Sequence, residues 1–236
     1  MNLDPSFIWT AFIQLLSAVP TTLKLTLVSM VFGLLIGTAI ALIRIYRVPV
    51  LNQVASTYVT VIRGTPMLTH LLLIYYGLPM LVNGLSESLG IAFRAASIPM
   101  IGFAYLSFSI TFGAYLSEVV RSGILAVNRG QIEAAYAVGM TTYQALRRIV
   151  LPQAFVVSLP NLTNSLIGAL HGSTIAFTVS VVDINAKAQI IASTNWNFLE
   201  SYLGAAILFW GLTVLIERLS GVLEKRINVY NRGGVA

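Results

Sequence analysis

Residues 19–43 read VPTTLKLTLVSMVFGLLIGTAIALI, with Lys24 as the only charged side chain. A helix crossing ~30 Å of hydrocarbon needs about 20 mostly apolar residues, so this stretch predicts a membrane span. Four further segments fit the same template: 54–81, 98–118, 153–182 and 199–220. The expected fold class is therefore an all-α integral membrane protein with about five transmembrane helices. We take residues 1–236 as a single transmembrane domain. Within the opening stretch, GLLIG (Gly33 to Gly37) has the small-xxx-small spacing that lets two helices approach closely. Packing inside one subunit and packing between subunits both fit that motif.

Composition supports the membrane reading. The chain is 57% hydrophobic and 9% charged, with mean hydropathy +0.84, where a soluble domain carries about 25% charged residues. Its net charge of +6 is explained by basic cytoplasmic loops and not by a nucleic-acid partner. With no cysteine, disulfides, thiolate metal sites and a cysteine nucleophile are excluded. The start MNLDPSFIW has no basic n-region and carries Asp4, which argues against a cleaved signal peptide. No GxxxxGK[ST] motif is present, so ATP hydrolysis by this chain is not expected.

Five spans put the two ends on opposite sides. With the N-terminus outside, Arg44, Arg47, Arg121, Arg129, Arg147, Arg148, Arg218, Lys225, Arg226 and Arg232 fall in the cytoplasm, against Arg94 and Lys187 outside. The positive-inside rule selects this orientation and puts the C-terminus in the cytoplasm.

The segment between the third and fourth spans, residues 129–152, is then cytoplasmic. Gln131 to Ala137 is rich in helix formers. Gly139 suits a turn with positive φ, and Thr141 with Gln144 fits a capping box opening a second helix. Leu146, Ile149 and Val150 share a face, Arg147 and Arg148 point elsewhere, and Pro152 precedes the fourth span. Two short helices across the membrane plane suit either a knob gripped by another protein or an amphipathic loop resting on lipid head groups.

The order Glu133-Ala134-Ala135, Gly139, Ile149, Leu151-Pro152 resembles the EAA loop of ABC-importer permeases, with Leu146 where an aromatic is usual. RGTPMLTHLLLIYYGLP (63–79), GAYLSEVVRSGILAVNRGQIEAA (113–135) and STIAFTVSVVDI (173–184) are similar to the polar amino acid branch of that superfamily, which includes histidine, arginine, glutamine and cystine permeases. The resemblance implies a type I permease arrangement in a bacterial cytoplasmic (inner) membrane, surrounded by lipid. It implies three partners: an ABC ATPase dimer, a second permease subunit (the same or a related chain) and an extracytoplasmic amino-acid-binding protein. It also implies no cofactor in this chain, ATP and Mg²⁺ being held by the ATPase. By the same resemblance Glu133, Ala134, Ala135, Gly139, Leu151 and Pro152 couple the permease to the ATPase. Ala134 and Ala135 would allow close docking, Gly139 would set the turn, and Glu133 would offer a charge.

Polar groups inside spans are costly and need partners or a task. The fourth span holds Pro160, Asn161, Asn164 and Ser165, then His171, Gly172, Ser173 and Thr174. It is longer than the bilayer core requires, and a break near His171 and Gly172 would account for the excess. Broken helices present backbone groups to zwitterions. Equally, the amides and hydroxyls can serve as packing glue. The second span is interrupted at Arg63 to Pro66. Arg63 can clasp a substrate carboxylate, snorkel or pair with an acid, and His70 lies one turn beyond Pro66. Candidate pathway residues are thus Arg63, His70, Asn161, Asn164, Ser165, His171, Ser173 and Thr174. Glu118 and Arg121, three apart, fit a helix-surface ion pair. Residues 82–97 and 183–198 are expected as outer loops that meet the binding protein.

His171-Gly172-Ser173 stands where Lys-Asp-Thr is common among the resembled permeases. The loss of two charges favours a neutral or zwitterionic substrate such as cystine or glutamine. Rival functions are a secondary amino-acid transporter, a lipid-acting enzyme and a membrane scaffold. Internal repeats would mark the first, and no second EAA-like segment occurs. His70 and His171 each stand alone, without a catalytic set around them.

Overall fold

The computed structural model describes residues 3–231, so Arg232 lies outside the described residues. The helices are α1 (Pro5–Leu15), α2 (Val19–Ile45), α3 (Leu51–Arg63), α4 (Met67–Ser88), α5 (Met100–Leu125), α6 (Arg129–Ala137), α7 (Thr142–Ala145), α8 (Leu151–Gly172), α9 (Ile184–Asn195) and α10 (Phe198–Asn231). Among the described residues four helices are long and apolar enough to cross a membrane. The number becomes five when the bent pair Thr142–Val179 and Ile184–Asn195 counts as one span.

The amino-terminal helical run starts earlier than the apolar count suggests. Asp4 accepts from the backbone N–H groups of Ser6 and Phe7, and Pro5 fits the first turn, where no N–H is needed. The residue that speaks against a signal peptide is a helix cap. A 3₁₀ turn, Leu16–Ala18, joins α1 to α2, and the apolar run Pro5–Ile45 spans 41 residues. At 1.5 Å per residue that is ~60 Å, about twice the hydrocarbon thickness. Only part of it spans, and the rest packs elsewhere: Ala11 and Leu15 of α1 bury against α9 and α10.

α5 is the hub. Phe108, Phe112 and Leu116 on it pack with Leu25 of α2, Leu71 of α4 and Ala169 of α8. The α2–α5 contact needs glycine. A Cβ on Gly37 would stand 2.8 Å from the Ser117 backbone nitrogen, and one on Gly33 3.0 Å from Phe112 Cβ. The GLLIG motif therefore serves packing inside this subunit.

The second expected span, 54–81, is two helices. Gly64 ends α3 and Pro66, extended at φ −65° and ψ 139°, opens α4. Pro66 has no N–H for the ladder and forces the preceding residue out of helix. α3 is amphipathic and buries Ala55 and Val59, leaving α4 as the spanning piece.

The fourth span breaks later than expected. The chain stays helical through Gly172 (φ −63°) and tightens into a 3₁₀ turn over Ser173–Val179. It turns at Ser180 (φ 63°), and α9 then departs at 53°. Gly172 serves close approach and not flexibility, since a Cβ there would stand 3.2 Å from Met67 Sδ. The hydroxyls of Ser173 and Thr174 donate to the Leu170 and His171 carbonyls and hold the turn.

Neither expected outer loop is fully a loop. α4 continues to Ser88, and 184–195 form α9, which buries Ile184, Ala188, Ile191 and Ala192. Asp183, fully buried, caps α9 by accepting from Ala186 N–H at 2.8 Å, and Thr22 of α2 accepts from Ile184 N–H at 3.1 Å.

Candidate functional site

A cavity of about 450 Å³ lies between α4, α5 and α8, lined by Met67, Thr111, Tyr115, Asn161, Asn164 and Ser165 among others. Helical spacing explains the grouping. Asn161, Asn164, Ser165 and Gly168 recur at three and four residues and so share one face of α8. Ser165 donates its hydroxyl to the Asn161 carbonyl at 2.8 Å. The amides of Asn161 and Asn164 make no hydrogen bond within the described residues and face the space with both donor and acceptor capacity.

Next to this wall the break between α3 and α4 is tied to α5. His70, buried, bonds Thr65 Oγ1 through Nε2 at 2.6 Å and Thr111 Oγ1 through Nδ1 at 3.0 Å. The Thr65 hydroxyl donates to the Val61 carbonyl at 2.7 Å.

On the other side of the break Arg63 lies 5.7 Å from the Tyr115 ring centroid and 4.0 Å from Glu118. Glu118 also pairs with Arg44 of α2, and Arg121 reaches its Oε2 at 2.9 and 3.0 Å. One carboxylate thus gathers three guanidiniums from α2, α3 and α5. Arg63 is the most exposed of the three, with 46% of its side chain accessible. The Glu118–Arg121 pair expected from spacing is the local part of this cluster. Arg44 and Arg63 join it only through the fold.

His171, Ser173 and Thr174 do not meet the cavity. His171 contacts α10, with Nε2 3.1 Å from Thr213 Oγ1 and its ring edge-on to Phe209. Ser173 is fully buried on its own turn, and the Thr174 carbonyl accepts from Asn185 at 3.5 Å. Of the eight pathway candidates, the structure brings Asn161, Asn164 and Ser165 to one wall and places Arg63 and His70 one contact behind it. Sequence reading missed Thr111, Tyr115 and Met67. A run of hydroxyls in the apolar α5, Ser107, Ser109 and Thr111, was the available signal.

The loop after α5 is a helix, turn and helix. Asn128 caps α6 by accepting from Gly130 N–H at 2.8 Å, and Gly139 takes φ +80°. The Thr141–Gln144 capping box opens α7. Ile132, Leu146 and Val150 pack together with Val127 and Ala154 into a small core that braces the loop. Glu133, Ala134, Gly139, Leu151 and Pro152 are exposed, whereas Ala135 is buried against its own subunit.

Pro152 does not separate the loop from the span. Helix continues from Thr142 to Val179 through one wide turn, Leu146–Val150, in which Leu151 N–H donates to the Leu146 carbonyl five residues back. A proline ring clashes with the carbonyl four residues before it, and the wider turn removes that clash without ending the helix.

A family model described as the binding-protein-dependent transport system inner membrane component matches residues 29–229. The probable amino-acid ABC transporter permease protein PatM of Vibrio harveyi is 38% identical over 228 residues, covering 97% of this chain and 98% of that one. The L-cystine transport system permease protein TcyL of Bacillus subtilis (strain 168) is 35% identical over 229 residues, covering 96% and 91%. A crystal structure of an amino acid ABC transporter with histidines superposes with TM-score 0.80 at 34% identity, over 96% of this chain and 100% of that one. The MetNI methionine ABC transporter in an inward-facing conformation shares the fold, with TM-score 0.71 at 21% identity over 95% and 99%. With a family match over most of its length and this agreement in fold, the chain belongs to the binding-protein-dependent transport system inner membrane components, the permease subunits of ABC importers.

Proposed function

We propose that this permease takes up a polar, zwitterionic amino acid, with cystine and glutamine the favoured substrates, and that exposed residues of the 129–152 loop carry the stroke of a separate ATPase. One observation carries the reading: the loop's second helix runs without a break into α8, which bears Asn161, Asn164 and Ser165. A push on α7 is thereby transmitted along one continuous helical run to the cavity wall. The cavity supports a zwitterion, because its lining offers amides and hydroxyls and no carboxylate. Relatives named for L-cystine and, putatively, glutamine transport support the same class.

Glu133, Ala134, Gly139, Leu151 and Pro152 form the outward surface for the ATPase. Ala135 acts from behind, keeping α6 close to the bundle. The chain sits in the bacterial cytoplasmic membrane with its N-terminus outside. A second permease subunit completes the pathway, and an external binding protein delivers substrate to the side of the 3₁₀ turn and α9.

The test is reconstitution with the cognate ATPase and binding protein, followed by ATPase stimulation and uptake across an amino-acid panel. Stimulation by glutamine or cystine and not by arginine is expected. Stimulation confined to cationic amino acids would overturn the substrate class, and the absence of any coupled uptake would overturn the transport reading.

A further inference from the structure

We infer that a groove between α2 and α8 seats one anionic phospholipid of the cytoplasmic leaflet, with its phosphate on Arg147 and Arg148. The groove, about 290 Å³, is lined by Leu34 and Leu42 of α2, Ile124 of α5, and Leu151, Phe155 and Leu162 of α8 among others. Helical spacing makes it a stripe along the two helices. Leu34, Thr38 and Leu42 recur every four residues, and Leu151, Phe155, Ser158 and Leu162 every three or four. From Leu151 to Leu162 the stripe runs ~16 Å, close to half of a ~30 Å hydrocarbon core. That is the length of one acyl chain in one leaflet. No charged side chain lines the groove, and Ser158 spends its hydroxyl on the Val119 carbonyl at 3.3 Å.

The loop end of the stripe carries the opposite chemistry. Arg147 and Arg148 belong to the wide turn that leads into Leu151. Both are exposed, and neither makes an ion pair among the described residues. Two guanidiniums at the water end of an apolar stripe match a phosphodiester above an acyl chain, since their planar forks take phosphate oxygens. Basic pockets between spans on the cytoplasmic side bind anionic headgroups in this way. A zwitterionic lipid brings its own ammonium to its phosphate, so the arginine pair selects a lipid of net negative charge. The groove shares no lining residue with the substrate cavity, yet it lies against the start of the helical run that reaches that cavity. A lipid seated there braces that run. Assignment to the cytoplasmic leaflet rests on the orientation proposed above; the binding itself does not.

The experiment reconstitutes the intact permease–ATPase complex in vesicles of equal parts phosphatidylcholine and phosphatidylglycerol. The complex is then extracted in dodecyl maltoside, and its retained phospholipids are counted by mass spectrometry. The wild type is expected to keep phosphatidylglycerol over phosphatidylcholine by about tenfold or more, each arginine near an anionic headgroup being worth roughly fivefold. Arg147→Gln combined with Arg148→Gln should erase the preference with the ATPase still bound, and the corresponding lysine pair should keep most of it. Thr38→Trp fills the groove and leaves both arginines, so it should lower the retained phosphatidylglycerol severalfold. Soluble glycerol 3-phosphate in excess should not displace the lipid. Equal retention of the two lipids by the wild type overturns the inference. Loss of the ATPase from the glutamine pair with phosphatidylglycerol retained assigns the arginines to the ATPase and overturns it as well. An unaltered count in Thr38→Trp, or displacement by glycerol 3-phosphate, reduces the effect to surface charge without a seat in the groove and equally overturns it.

Discussion

Glu118 shows how much depends on one carboxylate. It is the only acidic partner of Arg44, Arg63 and Arg121 among the described residues, and its side chain is 22% exposed. Glu118→Gln leaves three guanidiniums crowded around a neutral amide. A hydrogen bond to a charged group contributes roughly 1.5–3 kcal/mol, so the variant should lose about 2 kcal/mol or more, read as a lower melting temperature of the purified protein. Asn164 is the opposite case. Its amide faces open cavity, so Asn164→Leu should assemble normally with the ATPase yet take up substrate at least tenfold more slowly, and uptake at the wild-type rate would move the site elsewhere. Residue chemistry alone raises both positions as candidates. It does not say that one pins a cluster and the other lines a space.

At the level of the element, two glycines do different work. Gly37 lets α2 lie against α5, where any larger side chain meets the Ser117 backbone at 2.8 Å. Overpacking of a tight contact costs about 1–3 kcal/mol, and backbone cannot step aside as a side chain can. Gly37→Leu should lower expression and thermal stability, while Gly84→Ala, with nothing within 4 Å, should change neither. Gly139 is needed for conformation, not space. At φ +80° its N–H donates to the Tyr136 carbonyl at 2.9 Å, and proline can satisfy neither condition. Gly139→Pro should abolish substrate-stimulated ATP hydrolysis while leaving membrane insertion intact, measured by ATPase assay and membrane fractionation. Normal coupled transport in that variant would remove the loop from the mechanism.

For the whole molecule, the arrangement makes a claim about sides. The absence of native cysteine makes single-cysteine labelling clean. Gln131→Cys on α6 should react with a membrane-impermeant maleimide only in inside-out vesicles. Trp196→Cys, at a position 82% exposed beyond α9, should react only in right-side-out ones. The reverse pattern would invert the topology and detach the loop from any cytoplasmic ATPase. The two packing centres divide the work along the same axis. One gathers α2, α4, α5 and α8 around the cavity, and the other gathers α1, α9 and α10 beside it. The Thr22–Ile184 bond joins α2 of the first to α9 of the second where the fourth span turns.

Local patterns in the sequence were sufficient for the all-helical membrane class, the break at Gly64 to Pro66, and the capped helix–turn–helix of the loop. Each follows from composition, a missing proline N–H, or a cap within four residues. α1 and α9 are not read from the sequence: Asp4 weighs only against a signal peptide and 183–198 is expected as an outer loop, yet both Asp4 and Asp183 cap helices. Only the tertiary structure decided which polar residues share a space. Asn161 and His171 sit ten positions apart on one continuous helical run, and which neighbour each meets depends on where α5 and α10 pack against it. The break likewise falls at Ser180 (φ 63°), while Gly172 stays helical with φ −63°. Contacts between distant helices decide such questions, and no single stretch of the chain contains them.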